Sequence, residues 1–136
     1  MPPLDTNVII RFLTNDDSVL SPRAYALFSQ LSAGGAAVSL TEAVLVECVQ
    51  VLSSKNLYNQ PRAQIARHLG TIIRLPGVKL LRKRRYLRAL ELYVAWPALS
   101  FVDALLAVYA EESPPPTVIS FDEGFDRLPG LTRRAP

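Results

Sequence analysis

Apolar positions recur along this chain in two alternating rhythms, a helical repeat and short continuous runs of strand type. Pro2-Pro3 precedes a very short apolar piece that ends at Leu4-Asp5. Val8, Ile9, Phe12 and Leu13 then recur at helical spacing, which predicts a helix beginning at Asp5 or Thr6. Ser21-Pro22 has the form of an N-cap followed by Pro at the first helical position. The helix it opens carries Ala24, Leu27, Phe28 and Leu31 and should stop at Gly34-Gly35. Residues 36–40 read as a buried strand. Thr41 can cap the next helix, whose apolar face is Val44, Leu45, Cys48, Val51 and Leu52. Pro61 opens another, with Ile65, Leu69 and Ile72 or Ile73, and Pro76-Gly77 turns the chain into a strand over 78–81. A basic run leads into a helix bearing Leu87, Leu90 and Val94, ended by Pro97. Ser100 starts a helix containing Asp103, Leu106, Ala107 and Ala110. The three prolines 114–116 cannot continue it and act as a stiff spacer. Residues 117–120 form a β-branched strand followed by Asp122, and a last short strand is expected near Leu131.

Strands separated by helical segments predict an α/β fold, a parallel sheet covered by helices on both faces, in one domain spanning 1–136. Ligands of such folds bind beyond the carboxyl ends of the strands. Asp5 and Asp122 both fall just after a predicted strand, at that rim.

Composition narrows the chemistry. The 49% apolar content suits a globular core. No apolar stretch reaches the roughly 18 residues of a membrane span, and the start, Met1-Pro2-Pro3-Leu4-Asp5, has neither a basic n-region nor an apolar h-region. The expectation is a cytoplasmic protein without a membrane partner. Cys48 is the only cysteine and His68 the only histidine, which excludes internal disulfides, multi-thiolate zinc sites and Ser-His or Cys-His catalysis. Carboxylates, hydroxyls, Lys and Arg remain. The net charge of +3 permits a polyanionic partner.

Four carboxylates stand out. Asp5 sits between a short strand and a helix, where N-capping alone could explain it. Glu47 shares a helix face with Val44 and Val51, at the edge of the apolar stripe. That position suggests a partly buried carboxylate needing a partner, although a boundary residue fits the same pattern. Glu42, on the other side of that helix, reads as a first-turn acid favoured by the helix dipole. Asp103 is surrounded by Phe101, Val102, Ala104, Leu105, Leu106 and Ala107, so no face offers much water. A capping box with Ser100 as N-cap is the competing explanation, and the two roles can coexist. Asp122, in Ser120-Phe121-Asp122-Glu123-Gly124, fits an Asx-turn as well as a site, and Glu123 and Asp126 are nearby alternatives. Carboxylates converging on one rim repel one another. A Mg²⁺ or Mn²⁺ ion relieves that conflict, acidifies a water and neutralises charge on a phosphodiester.

At these positions the sequence resembles the PIN-domain family: Leu4-Asp5-Thr6-Asn7-Val8, Glu47 within Glu42-Ala43-Val44-Leu45-Val46-Glu47, Asp103 within Ser100-Phe101-Val102-Asp103-Ala104, and Ser120-Phe121-Asp122. Size and element order look most like the VapC-type toxins of toxin–antitoxin modules. The resemblance implies a three-layer α/β/α sandwich and an endoribonuclease using Mg²⁺ or Mn²⁺. It also implies a homodimer inhibited by a cognate antitoxin protein. Carried over, Asp5, Glu47, Asp103 and Asp122 become the catalytic carboxylates. Asp5, Asp103 and Asp122 would be metal ligands, with Thr6, Asn7 and Ser120 in support. Ser120 stands where members often carry Thr, and Asp126 remains an alternative fourth acid.

Arg82, Lys83, Arg84, Arg85 and Arg88 could track an RNA backbone, or simply form a solvated helix start. Basic residues there oppose the helix dipole. Tyr86 and Tyr93 could stack bases, though packing within a helix interface is the commoner use. His68 is expected on a helix surface and Cys48 in the core. Two other functions compete: a non-catalytic RNA- or protein-binding module on the same fold, and a phosphatase with an aspartyl nucleophile. The latter wants an acid two residues after Asp5, where Asn7 stands.

Overall fold

Pro2 to Leu4 runs alongside a strand before the first helix begins: Leu4 N–H donates to Ser39 O at 2.8 Å and Ser39 N–H to Pro2 O at 2.9 Å. The computed structural model describes all 136 residues, which group into two units, Met1–Lys83 and Arg84–Pro136. The first holds α1 (Thr6–Thr14), α2 (Leu20–Ala33), β1 (Val38–Ser39), α3 (Glu42–Ser53), α4 (Arg62–Arg74) and β2 (Val78–Lys79). β1 and β2 pair in parallel, Val38 opposite Val78 and Ser39 opposite Lys79. Ile9, Leu31, Leu45, Cys48, Leu52, Ile65, Leu69, Ile72, Ile73 and Val78 are fully buried here. Both Ile72 and Ile73 reach the core, so the choice left open by periodicity resolves to both.

Two boundaries differ from the sequence reading. α2 starts at Leu20, not after Ser21, because Asp17 supplies the cap: its carboxylate accepts from Val19 N and Leu20 N at 2.9 and 2.8 Å. Ser21 is instead buried inside the helix, its hydroxyl donating to Arg11 O at 2.8 Å. β1 and β2 are also two residues each, shorter than expected. α2 does stop at Gly34, which takes φ 80°, a conformation cheap only for glycine.

The second unit takes in α5 (Lys83–Ala95, whose first residue closes the first unit), α6 (Phe101–Glu111), β3 (Thr117–Ile119), a 3₁₀ turn over Glu123–Arg127 and β4 (Thr132–Arg134). β3 and β4 pair in parallel, with Ile119 opposite Arg134. The buried face of α5 is Tyr86, Ala89, Leu90, Leu92 and Tyr93. Leu87 is only half-buried and Val94 exposed, so the helix is rotated from its predicted face. The two tyrosines offer more apolar area than Val94, and Tyr93 meets Phe101 edge-on at 5.9 Å. Six helices and four strands, with every ladder parallel, make this an α/β fold as the sequence predicts.

Candidate active site

The first unit brings Asp5, Thr6, Glu47 and Cys48 into one neighbourhood. α1 packs on α3, and Asp5 precedes the first turn of α1. Its Oδ1 accepts from the adjacent Thr6 N–H at 2.9 Å. An ordinary N-cap reaches the second or third amide of the helix. This contact stops at the first, so capping explains little of Asp5, whose other oxygen stays available. Thr6 is 2% exposed and its hydroxyl has no partner in hydrogen-bonding geometry. It lies beside the Cys48 thiol, a contact too poor to count as a bond. Cys48 is pushed up to about 12, first by burial, then by the charge of Glu47; Thr6 opposes the rise weakly and Asp5 adds to it. A thiol so raised stays protonated and inert near neutral pH.

Glu47 is exposed, which corrects the expectation of a partly buried acid. The buried face of α3 centres on Leu45, Cys48, Val49 and Leu52, leaving Val44 and Val51 half-exposed. The stripe is turned about one residue from its predicted centre, and Glu47 points outward. Asn7 is exposed on the first turn of α1 and lines a cleft of about 340 Å³ with Val8, Arg11, Leu20 and Arg23.

In the second unit, Asp103 completes the capping box: its N–H donates to Ser100 Oγ at 3.1 Å, and its Oδ2 accepts from Ser100 N–H at 3.2 Å. It is half-buried, not enclosed, because Val102 and Leu106 are themselves 44% exposed and α6 has a wet face. One carboxylate oxygen is left over from the cap. Asp122 is exposed and makes the Asx-turn, Oδ1 accepting from Gly124 N–H at 2.8 Å. Its own N–H donates to Ser120 Oγ at 2.9 Å, so Ser120 pins the backbone of Asp122. Asp126 is engaged by Arg133 at 3.0 and 3.2 Å. Of the two candidates for the fourth acid, only Asp122 keeps an oxygen outside an ion pair.

The basic run divides. Arg85 grips Glu112, with a 2.7 Å contact, and lies over the Tyr109 ring at 4.3 Å. Arg88 pairs with Glu91 and Glu111 at 3.3 and 3.2 Å. Lys83 donates to Leu75 O at 3.1 Å. These three are spent on holding structure, while Arg82 and Arg84 are exposed. Tyr86 and Tyr93 are buried, which settles them as packing residues. His68 is half-buried, its Nδ1 enclosed without a partner and its pKa lowered by burial, rather than lying on the surface. Arg133 escaped sequence reasoning altogether. Its only signal is position: the middle of β4, where it donates to Ser120 O at 3.2 Å and braces the turn that carries Asp122.

In neither unit do three His, Cys, Asp or Glu side chains form a group placed to hold a metal ion. The donor chemistry nonetheless suits a hard cation, since Mg²⁺ keeps most of its waters and takes one or two carboxylates. No curated protein matches the chain in sequence. The PIN domain family model matches residues 4–131, nearly the whole length of the chain. The chain therefore belongs to the PIN domain family, whose members are generally nucleases that use divalent metals.

Proposed function

We propose that this protein is a metal-dependent endoribonuclease and the toxin of a type II toxin–antitoxin module. The observation that carries the reading is the packing of α1 on α3, which brings the exposed Asp5, next to the buried and unpartnered Thr6 hydroxyl, and the exposed Glu47, next to the buried Cys48, onto adjoining elements. Asp5, Asp103 and Asp122 would be the Mg²⁺ or Mn²⁺ ligands, each through the oxygen its backbone contact leaves over. The bound cation supplies charge neutralisation on the phosphodiester and a more acidic water. Glu47 accepts the proton of the attacking water, since no histidine is available: His68 is half-buried with its pKa lowered. Ser120 and Arg133 keep Asp122 oriented by fixing the backbone that leads into it. Thr6 and Asn7 supply polar support at the start of α1.

Incubation with structured RNA, with and without Mg²⁺ or Mn²⁺, tests the activity. Metal-dependent cleavage that falls at least 100-fold in Asp5→Ala and in Asp103→Ala is expected; undiminished cleavage by both variants overturns the site. The partners proposed with this reading are a second copy of the chain and an antitoxin protein encoded by a neighbouring gene. Copurification after co-expression checks the latter, and failure for every neighbouring gene counts against it. No helix is long and apolar enough to cross a membrane.

One observation favours a second reading, a non-catalytic binding module: the acids of each unit fall short of a three-ligand group. Titration calorimetry with Mn²⁺ separates the two, since a nuclease must bind the ion and a binding module need not.

A further inference from the structure

Four of the five phenylalanines are covered at least in part, but Phe121 is 80% exposed. It sits between Ser120 and Asp122, on backbone that is held firmly. Ser120 N–H donates to Arg134 O at 3.1 Å, Asp122 N–H to Ser120 Oγ, and the Asx-turn closes onto Gly124. Phe125, buried at 1% exposure, anchors the far side of the turn. An aromatic ring is thus offered to solvent from a rigid mount, beside a candidate metal-binding carboxylate.

Its surroundings suit a polyanion with flat bases. Ile119, two residues earlier, is 60% exposed, and the exposed Arg134 lies opposite it in the β3–β4 ladder. Ile119 and Arg134 form part of a cleft of about 620 Å³ that also takes in Leu106 and Tyr109 of α6. Single-stranded nucleic acid is held by this combination, cations along the backbone and aromatic faces under the bases.

We propose that Phe121 is a stacking platform for a nucleobase of single-stranded RNA and positions the strand against Asp122. Arg134 neutralises an adjacent phosphate, and the Ile119–Tyr109 cleft receives the neighbouring nucleotide. The inference rests on the ribonuclease reading for its substrate, but it is tested without cleavage.

Binding of a fluorescein-labelled single-stranded oligoribonucleotide is measured by anisotropy in EDTA, for the wild-type chain, Phe121→Ala and Phe121→Tyr. Loss of one stacked base weakens binding roughly 5- to 100-fold. That loss is expected for Phe121→Ala, with Phe121→Tyr close to wild type and an oligonucleotide of abasic sites insensitive to either change. Thermal midpoints should be unchanged, since the ring is mostly in water. Equal binding by Phe121→Ala and wild type overturns the proposal. So does failure of the wild type to bind single-stranded RNA, or a change of oligomeric state in Phe121→Ala, which would mark the ring as a protein contact. Metal-dependent cleavage is assayed in parallel. Cleavage with unaltered KM in Phe121→Ala sinks the platform and leaves the nuclease standing; base-dependent binding without cleavage does the reverse.

Discussion

Single residues show most plainly how partners decide behaviour. Asp16, in the loop after α1, lies 2.6 Å from the Tyr58 hydroxyl, which donates to it, 2.8 Å from Thr14 Oγ1 and 3.0 Å from Arg11 Nη1. These contacts, the Tyr58 bond foremost, hold its carboxyl down to about 2 against an ordinary 3.8. A carboxylate depressed by folding contributes stability that is complete above the unfolded pKa and disappears as pH falls through the folded one. The window here runs from about pH 4 down to about pH 2. Because the side chain is 35% exposed, solvent screens the gain to under about 1 kcal/mol. Asp16→Asn should therefore melt slightly below wild type at pH 7. Melting curves should show that gap closing as pH approaches 2, and a gap independent of pH would refute the assignment. The tie is invisible in the sequence, because Asp16 and Tyr58 stand 42 positions apart and neither belongs to a motif.

At the scale of elements, close backbone approach matters as much as pattern. Gly77 lies where the end of α2 meets the start of β2: its N–H donates to Leu31 O, and Val38 N–H donates to its carbonyl, both at 2.8 Å. A Cβ there would strike Ala36 O and come within 2.8 Å of Leu31 Cα and O, all backbone that cannot swing aside. Gly77→Ala should cost about 1–3 kcal/mol or more, read from denaturant unfolding; a neutral substitution would mean that the α2–β2 junction is looser than it stands here. The sequence marked this glycine only as part of a Pro-Gly turn, and its steric role could not be read there. Helix starts were legible where a side chain caps its own helix, as Thr41 and Ser100 do. They were misread where the cap lies upstream, as Asp17 does for α2. Face assignments failed for α3 and α5 for one reason: apolar residues ring much of each helix, so periodicity alone does not fix its rotation to better than a residue.

Across the whole molecule, the candidacy of the four acids was legible: Asp5 and Asp122 follow extended segments, Asp103 lies in the first turn of a helix, and Glu47 borders the apolar stripe of α3. Their exposure was not, since it depends on which helix face the core takes. Charge is unevenly shared. Nine of the fifteen Lys and Arg and five of the twelve acids lie in Met1–Lys83, giving that unit a formal +4 and the other −1. No acid occurs between Glu47 and Glu91, and Arg67 and Arg74 stand exposed on α4. Sequence reasoning put the phosphate contacts on the run at 82–88, three of whose members the structure uses internally. Binding of RNA is accordingly expected to weaken with salt and to fall further in Arg67→Glu/Arg74→Glu than in Arg88→Gln. Affinities measured at two or more salt concentrations check this, and equal losses would return the contact to the run. The β3–β4 ladder carries one more consequence. The turn bearing Asp122 and Phe121 is moored to Arg133 and Arg134. A chain lacking β4 would keep every proposed metal ligand yet set that turn adrift, so its acids would survive while one of them lost its bearing.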